Sequence, residues 1–232
     1  MSAVAVGSPL ARGASFFGTT IGKKVVMAVT GLILFGFVIG HMAGNLQYFL
    51  GPETFNGYAE GLRKVPLLLW GARIGLLVAA ILHIASSVSL ARTQNIARPV
   101  GYARRRSVGS TYASRTMYWS GPIVLAFLIY HLLHLTFGTV HPDFQDLKPY
   151  ENLIAGFSNP VVSIAYIVSV GLLGLHLYHG LWSMFQTLGV AHPRFTPKLK
   201  FFAKAITVVI VLGFIAIPIA ILMGVRPGQD MV

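Results

Sequence analysis

Cysteine is absent from this chain of 232 residues. Its absence excludes disulfide bonds, thiolate-bound iron–sulfur clusters and covalently attached c-type haem within the chain. Charge is scarce as well, since only 10% of the residues are charged and 6 acidic residues stand against 18 basic ones. With 55% hydrophobic residues, this composition excludes an ordinary water-soluble domain.

Five apolar runs are each long enough to cross a bilayer, which takes about 20 helical residues for ~30 Å of hydrocarbon. They cover residues 25–50, 67–91, 117–140, 160–188 and 202–225. The connections between them carry turn formers, as in GPETFNG (51–57) and HPRFTPK (192–198). We therefore predict an all-α integral membrane protein, with a single transmembrane domain over 1–232 and five membrane-spanning helices.

The basic residues concentrate on one side of the predicted membrane, before span 1, between spans 2 and 3, and from span 4 into span 5. They are Arg12, Lys23, Lys24, Arg92, Arg98, Arg104, Arg105, Arg106, Arg115, Arg194, Lys198, Lys200 and Lys204. All six acidic residues lie in segments of the other side. The positive-inside rule then predicts a cytoplasmic N-terminus and an external C-terminus. The surface formed by these basic residues either serves only to set the orientation of the chain in the membrane or also docks a soluble partner. Nucleic acid is a poor candidate because apolar spans dominate the chain.

Histidines interrupt four of the five runs. They are His41, His83, the pair His131 and His134, and the pair His176 and His179. Counted at 1.5 Å per helical residue, His41 and His131 lie near the outer leaflet, and His83 and His176 near the inner one. These four therefore form two pairs of matched depth, and each member comes from a different helix.

A histidine in hydrocarbon is costly unless it is paired or liganded. A single one would be a neutral imidazole bonded to a neighbouring helix, and zinc would need further carboxylate or thiol ligands, which the spans lack. Haem needs one histidine on each face of a flat ring between facing helices, and the pattern predicts two such b-type haems. Nearby glycines would let a macrocycle approach the backbone, or else serve helix packing. They are Gly36, Gly40, Gly44, Gly171, Gly174 and Gly180.

Four segments resemble the haem-bearing segments of the di-haem cytochrome b membrane anchor of succinate:quinone oxidoreductases and fumarate reductases. They read IGHMAGNLQ (39–47), ILHIASSVSLA (81–91), SGPIVLAFLIYHLLHLTFG (120–138) and GLHLYHGLWSMFQTLGV (174–190). The similarity is to the type of anchor made of one polypeptide with five helices, and it extends over about 22–225. A glycine ten residues before the span 3 ligand, and a GxW motif starting four residues after the span 4 ligand, match His131 and His176 to the family's ligands.

The resemblance implies that His41 and His131 hold an outer (distal) haem b, and that His83 and His176 hold an inner (proximal) one. It implies electron transfer from an FAD flavoprotein and an iron–sulfur subunit to a quinone, usually menaquinone, as in succinate dehydrogenase, the respiratory complex II of the tricarboxylic acid cycle. The dicarboxylate site would lie on a partner subunit. This chain would lie in the prokaryotic cytoplasmic membrane. We expect the arginine-rich loop from Arg92 to Arg115 to dock the partners.

Three further side chains are candidates for contacts with haem propionates, or else are polar groups facing neighbours or the interface: His134, His179 and Arg73. A quinone site needs an apolar slot, a donor to a carbonyl oxygen and a proton route. The candidates at the outer end are Asn45, Gln47, Glu60 and Lys64, with Glu60 either handling the proton or being a solvated loop acid. An inner site near Ser86, Trp119 or Trp182 is the alternative.

The direction of catalysis does not follow from the resemblance, because fumarate reduction uses the same scaffold. Gly174 stands where the quinol-oxidising family members carry an acidic residue, which favours succinate oxidation. A haem-free anchor and a transporter are the other function classes. A transporter would show ionisable residues along a path between broken helices, whereas Pro218 in span 5 is the conspicuous break that we identify.

Overall fold

The computed structural model of the chain describes residues 16–97, 112–141 and 143–228. The α-helices follow in the order α1 (Thr20–Asn45), α2 (Pro52–Arg63), α3 (Pro66–Ala97), α4 (Tyr112–Leu135), α5 (Pro149–Phe157), α6 (Pro160–Thr187) and α7 (Thr196–Leu222). A 3-10 turn, Leu46–Leu50, extends α1. Helices α1, α3, α4, α6 and α7 are long and apolar enough to cross a membrane. The chain is therefore an all-α, multi-pass membrane protein, as predicted. Of the basic residues named above, Arg12, Arg98, Arg104, Arg105 and Arg106 lie outside the described residues.

The helix ends differ from the predicted spans. The third span, predicted to reach residue 140, ends at Leu135 because the N–H groups of Thr136 and Phe137 both turn back to the Leu132 carbonyl. Gly138 then takes a left-handed φ of 72°, which a side chain would disfavour. Helix α3 runs six residues past the predicted end, and α7 starts six residues before its predicted start. Hydropathy detects only the part of a helix that lies in hydrocarbon, so these more polar turns escaped it.

Two segments predicted as connections are helices. GPETFNG forms a turn only at Gly51, whose φ is 92°. Pro52 then occupies the first turn of α2, where its missing N–H costs nothing, and Glu53 adds a favourable negative charge there. Helix α5 begins in the same way at Pro149. Both segments still connect two predicted spans, and a proline followed by an acidic residue in the first turn is the signal that marks each of them as a helix start.

Prolines lie inside two of the spans, not one. Pro218 is inside α7, as identified from the sequence. Pro122 is a second interior proline, inside α4, that was not identified there. Both helices continue through the proline.

Four of the spans form an incomplete ring in the order α3, α1, α6, α4. Neighbours in this order pack along each other, and α7 packs against α6 and α1 from outside the ring. Gly174 lets α6 approach α7, since a Cβ atom there would meet the side chain of Val211. The fourth side of the ring, between α3 and α4, is bridged at one end by a 3.0 Å hydrogen bond from the Tyr118 hydroxyl to Gln94. The diagonally opposed helices, α1 with α4 and α3 with α6, form no extended contact in the described parts of the chain.

The end of the bundle that carries the 3-10 turn, α2 and α5 is called the cap end here. Tyr48 and Tyr150 stack at 5.1 Å, and their hydroxyls donate to the carbonyls of Val225 and Pro227 at 2.7 and 2.8 Å. Asn56 joins α2 to α5, because its amide donates to Glu151 at 2.9 Å and accepts from the Tyr150 N–H at 3.1 Å. These contacts tie the loops and the tail of α7 into one compact cap.

Two other surfaces of the bundle differ in character: the outward faces of the spans are apolar, and the end opposite the cap is basic. The outward faces of the spans expose large apolar side chains, such as Leu77 (61%), Ile129 (53%) and Leu212 (61%), which suits hydrocarbon and not water. The end opposite the cap, called the basic end here, carries the start of α1, α4 and α7 and the end of α3 and α6. Its described cations include Lys23, Lys24, Arg92, Arg115, Arg194, Lys198, Lys200 and Lys204.

Candidate functional site

Two pairs of histidine rings face each other across the two diagonals of the helix ring. His41 of α1 and His131 of α4 have ring centroids 5.8 Å apart and lie almost perpendicular, at 84°. His83 of α3 and His176 of α6 have centroids 6.3 Å apart at 60°. The same two pairs follow from the sequence when the depth of each histidine is counted along its span. We call them the cap-side pair and the basic-side pair.

The two pairs lie at different depths in the bundle. The His83 ring lies beside Gly31 of α1, where a Cβ atom would be 3.2 Å from the ring, and His41 is ten residues further along the same helix. Ten helical residues correspond to about 15 Å. On α6, Tyr166 contacts His131 at 6.0 Å between ring centroids, and His176 is again ten residues further. Both helices therefore give the same separation of about 15 Å between the pairs.

The spacing within each pair fits a group that binds an imidazole on each face. Two imidazoles that bind one metal ion from opposite sides, each through a bond of about 2 Å, have ring centroids roughly 6 Å apart. No three His, Asp or Glu side chains cluster as a bare metal ion would need, within 16–97, 112–141 and 143–228. A planar macrocycle such as haem supplies its own equatorial ligands, so two histidines per site suffice.

The helices around the pairs differ in how closely they approach each other. The diagonal helices that carry each pair are held apart, and their histidines face each other across the gap. Four of the glycines singled out from the sequence, Gly36, Gly40, Gly171 and Gly180, would have nothing within 4 Å of an added Cβ atom. The other two serve helix packing, Gly44 under Tyr58 and Gly174 against α7. The expected role in helix packing is therefore confirmed for Gly44 and Gly174, and the role of the other four glycines beside a macrocycle stays a prediction.

Hydrogen bonds orient His83. Its Nδ1 lies 3.1 Å from the carbonyl of Met27 and 3.3 Å from the hydroxyl of Thr30. A carbonyl can only accept, so the neutral ring carries its proton on Nδ1 and keeps Nε2 as a free electron-pair donor. This is the arrangement that fixes the tautomer and the ring orientation of a metal-binding histidine. Thr30 is itself fixed, because its hydroxyl donates to the Val26 carbonyl at 2.7 Å.

The two central histidines of α4 and α6 differ from His83. The Nδ1 atoms of His131 and His176 are buried, and neither has a hydrogen-bond partner within the described part of the chain. Packing must therefore orient these rings. His131 is flanked by Phe127 at 5.9 Å and by Tyr166 at 6.0 Å between ring centroids. Sequence reasoning missed Tyr166, since a tyrosine on an apolar helix gives no distinctive signal.

His134, a candidate for a propionate contact, is only 2% exposed. Its Nδ1 lies 3.0 Å from the Tyr166 hydroxyl, and its ring stacks on Tyr130 at 5.3 Å and on His141 at 4.8 Å. The backbone of Gly156 closes a further side. These contacts leave His134 no open face toward a propionate. His141, which the sequence analysis did not single out, belongs to the same buried cluster.

The other two propionate candidates are more accessible. His179 is half-buried, one helical turn beyond His176. Arg73 is exposed near the cap end of α3, and its guanidinium lies 5.1 Å from the centroid of the Trp70 ring.

The four candidates for the quinone site are not gathered in one cavity. Glu60 lines an open, polar cavity of about 390 Å³ together with Glu53, Asn56, Lys148 and Glu151. Asn45 instead donates to the carbonyl of His41 at 2.7 Å. Gln47 is half-buried on the 3-10 turn, and Lys64 is exposed at the end of α2. Of the alternative residues at the basic end, Trp182 lies 4.9 Å from the Lys200 ammonium group, Trp119 is 75% exposed and Ser86 is half-buried.

A second cavity, of about 210 Å³, lies between α2, α3 and the end of α4. Its walls combine apolar with polar side chains and include Leu62, Leu69, Arg73, Leu135, Phe144 and Asn152. Arg63 and Asp146 also line it and form a two-bond ion pair of 2.8 and 2.5 Å. Hydrogen bonding to Arg63 lowers the pKa of the Asp146 carboxyl, so the carboxylate stays charged near neutral pH.

No protein-family model matches this chain, and no curated protein or solved structure matches it either. Any functional assignment therefore depends on the residues and their geometry, together with the motif resemblance.

Proposed function

We propose that this chain is the di-haem cytochrome b anchor and electron-transfer subunit of a succinate:menaquinone oxidoreductase, that is, of succinate dehydrogenase. The observation that carries the proposal is the pairing of four histidines from four helices at 5.8 and 6.3 Å. The two pairs lie about 15 Å apart in depth. Fumarate reduction, the reverse reaction, would use the same residues, and Gly174 in place of an acid favours the succinate-oxidising direction.

In this proposal His41 and His131 hold the outer haem b, and His83 and His176 the inner one. Haem held between the two imidazoles of each pair would supply a one-electron carrier. Met27 and Thr30 fix the donor nitrogen of His83 toward the inner site.

The charge distribution supports the orientation of the chain and the side where partners bind. All described acidic residues lie at the cap end, and lysines and arginines crowd the basic end. By the positive-inside rule the basic end faces the cytoplasm of a prokaryotic inner membrane. The iron–sulfur and FAD-containing subunits, which would carry the dicarboxylate site, would dock there. The inner pair is then the one nearer to them.

The second cavity is the better candidate for the head of a quinone at the cap end. A quinone needs apolar walls and N–H donors to its carbonyl oxygens, and Leu69, Leu135 and Phe144 supply the walls beside the guanidinium of Arg73. The cavity of Glu60 is lined by three carboxylates, those of Glu53, Glu60 and Glu151, and Pro52 is its one apolar side chain. Glu60 then serves the proton route, as a carboxylate close to the water outside.

The test is a reduced-minus-oxidised visible spectrum of the purified complex, combined with the ratio of extracted haem to protein. We expect b-type bands and two haems per chain. His41→Ala or His131→Ala should lower the content to one by emptying the outer site, and His83→Ala or His176→Ala should empty the inner site. His192→Ala is the matched control, because His192 lies exposed in the loop between α6 and α7.

Two results would contradict the proposal. A wild-type complex without haem bands would leave a haem-free anchor or a transporter as the function. Loss of haem in His134→Ala with full content in His131→Ala would reassign the ligand of α4.

A further inference from the structure

One ring of the cap-side pair, His131, like His176 of the basic-side pair, has no hydrogen bond on Nδ1 within the described ranges that would orient it. A metal-binding histidine normally donates a hydrogen bond from the N–H of its second ring nitrogen to a carbonyl or carboxylate, and this bond fixes the ring. His83 has such partners, but the buried Nδ1 of His131 has none in the described residues. Another contact must therefore set the rotation of the His131 ring about its side-chain bonds.

Phe127, one helical turn before His131 on α4, contacts the ring at 5.9 Å between centroids, and Tyr166 contacts it from a different helix, α6. The Tyr166 ring meets the His131 ring at 6.0 Å and 61°, and it also packs edge-on against Phe127 at 5.1 Å and Phe157 at 4.8 Å. Tyr166 is 5% exposed, and its hydroxyl is bonded to Nδ1 of His134 at 3.0 Å. The tyrosine is thus fixed both at its ring and at its hydroxyl.

The partner of that hydroxyl is held just as firmly. The His134 ring is stacked between Tyr130, at an angle of 11°, and His141, at 26°. His141 in turn lies 3.0 Å from the carbonyl of Asn152 through Nε2, which must donate because a carbonyl only accepts. Asn152 is bound to the backbone of Gln145 by bonds of 2.7 and 2.8 Å. A continuous series of contacts therefore runs from the cap to His131.

We propose that Tyr166, held by His134 and His141, is a positioning residue that sets the orientation of the His131 imidazole in the outer site. This role rests on the proposed function, since it concerns how an axial ligand is presented. It also accounts for His134, the second histidine of the HLLH motif: that residue secures the tyrosine that orients the ligand. The angle of 84° between the His41 and His131 planes is the geometry that this contact maintains.

A core-filling role for Tyr166 would predict a loss of stability alone, so the test needs a readout of ligand orientation. In a low-spin ferric haem the angle between the two axial imidazole planes sets the anisotropy of the electron paramagnetic resonance signal. We therefore compare the resonance spectra and the stepwise redox titrations of the complete complex in Tyr166→Phe and Tyr166→Leu. The control is Tyr48→Phe, which removes another buried hydroxyl of the cap end, one bonded to the Val225 carbonyl.

We expect Tyr166→Leu to bind two haems. It should shift the resonance signal of the outer haem and change the equilibrium constant for its reduction severalfold, with the inner haem unchanged. Tyr166→Phe, which keeps the ring and loses the hydroxyl, should change them in the same direction by less. His134→Gln tests the same effect without altering Tyr166, and it replaces Tyr166→Leu if that variant does not assemble. Tyr48→Phe should leave both signals as in the wild type.

Unchanged spectra in the Tyr166 and His134 variants, with two haems in the wild type, would overturn the positioning role and leave the proposed function intact. Equal changes in both haems, or the same changes in Tyr48→Phe, would also overturn it, because they would report a general loosening of the bundle. Absence of haem from the wild type would overturn the proposed function, and the positioning role with it.

Discussion

Gly156 is the position where a single added methyl group should reveal how tightly the cap is packed on the histidine cluster. It lies in the last turn of α5, and its backbone rests against two imidazole rings. A Cβ atom there would lie 2.7 Å from Cε1 and 3.1 Å from Nε2 of His134, and 3.2 Å from Nε2 of His141. Neither ring can move aside freely, because both are stacked and hydrogen-bonded. Gly156→Ala must therefore displace the ring cluster or the helix.

The size of the effect follows from two opposing contributions. Forcing a methyl group into a packed site typically costs about 1–3 kcal/mol. Replacing a glycine inside a helix by alanine returns about 0.5–1 kcal/mol. The expected net loss in the free energy of unfolding is up to about 2.5 kcal/mol, and about 1 kcal/mol at the middle of both ranges. At about 2–4 °C per kcal/mol for a chain of this size, the unfolding midpoint should fall by a few degrees.

Gly61 of α2 is the matched control, since it also lies in the last turn of a short cap helix and an added Cβ atom would meet nothing within 4 Å. Gly61→Ala should gain the helix contribution alone and raise the midpoint slightly. The assay is thermal unfolding of the purified protein in one detergent at one scan rate, because such unfolding is often irreversible. His134→Ala in the Gly156→Ala background should relieve part of the loss. If Gly156→Ala proves as stable as Gly61→Ala, the described packing of α5 on the rings is incorrect.

Two further predictions concern other parts of the molecule. Thr30→Val removes one of the two groups that fix Nδ1 of His83, so haem affinity at the inner site should fall by up to about tenfold with the Met27 carbonyl still in place, measured by haem titration with the outer site as internal reference. Arg63 lowers the pKa of Asp146 in the folded protein below its value of about 4 in the unfolded chain. The ion pair therefore stabilises the fold fully above that unfolded pKa, and the stabilisation is lost as the pH falls through the folded pKa. Arg63→Gln should therefore lower the unfolding midpoint at pH 7 and converge with the wild type in strong acid; a constant difference across that range would contradict this account.

The sequence was sufficient for the features that depend on composition and periodicity. Length and apolarity of the runs specify how many helices cross the membrane, because hydrocarbon thickness sets one length for all of them. Counting residues from the ends of the runs was enough to match His41 with His131 and His83 with His176, since an α-helix advances by the same distance for every residue. This count does not depend on knowing which helices are neighbours.

Features that depend on contacts between distant segments were not predictable in this way. The helices α2 and α5 owe their place to Tyr48, Asn56 and Tyr150, whose partners are up to 177 residues away in the chain. The candidates for the quinone site were chosen by position along the chain, and the fold separates Asn45 and Glu60, which face different surroundings. Sequence spacing gives the depth of a side chain but not its lateral neighbours.

The doubled histidines show where the division lies. From the amino-acid sequence it follows that His131 and His134 lie one turn apart on a membrane-spanning helix, because the helical repeat leaves no other arrangement. The packing of the helices is what makes one ring face His41 across the bundle and encloses the other between Tyr130, Tyr166 and His141. The physical reason is that the environment of a buried polar group is made by residues from other helices, and their approach depends on the packing of the whole bundle.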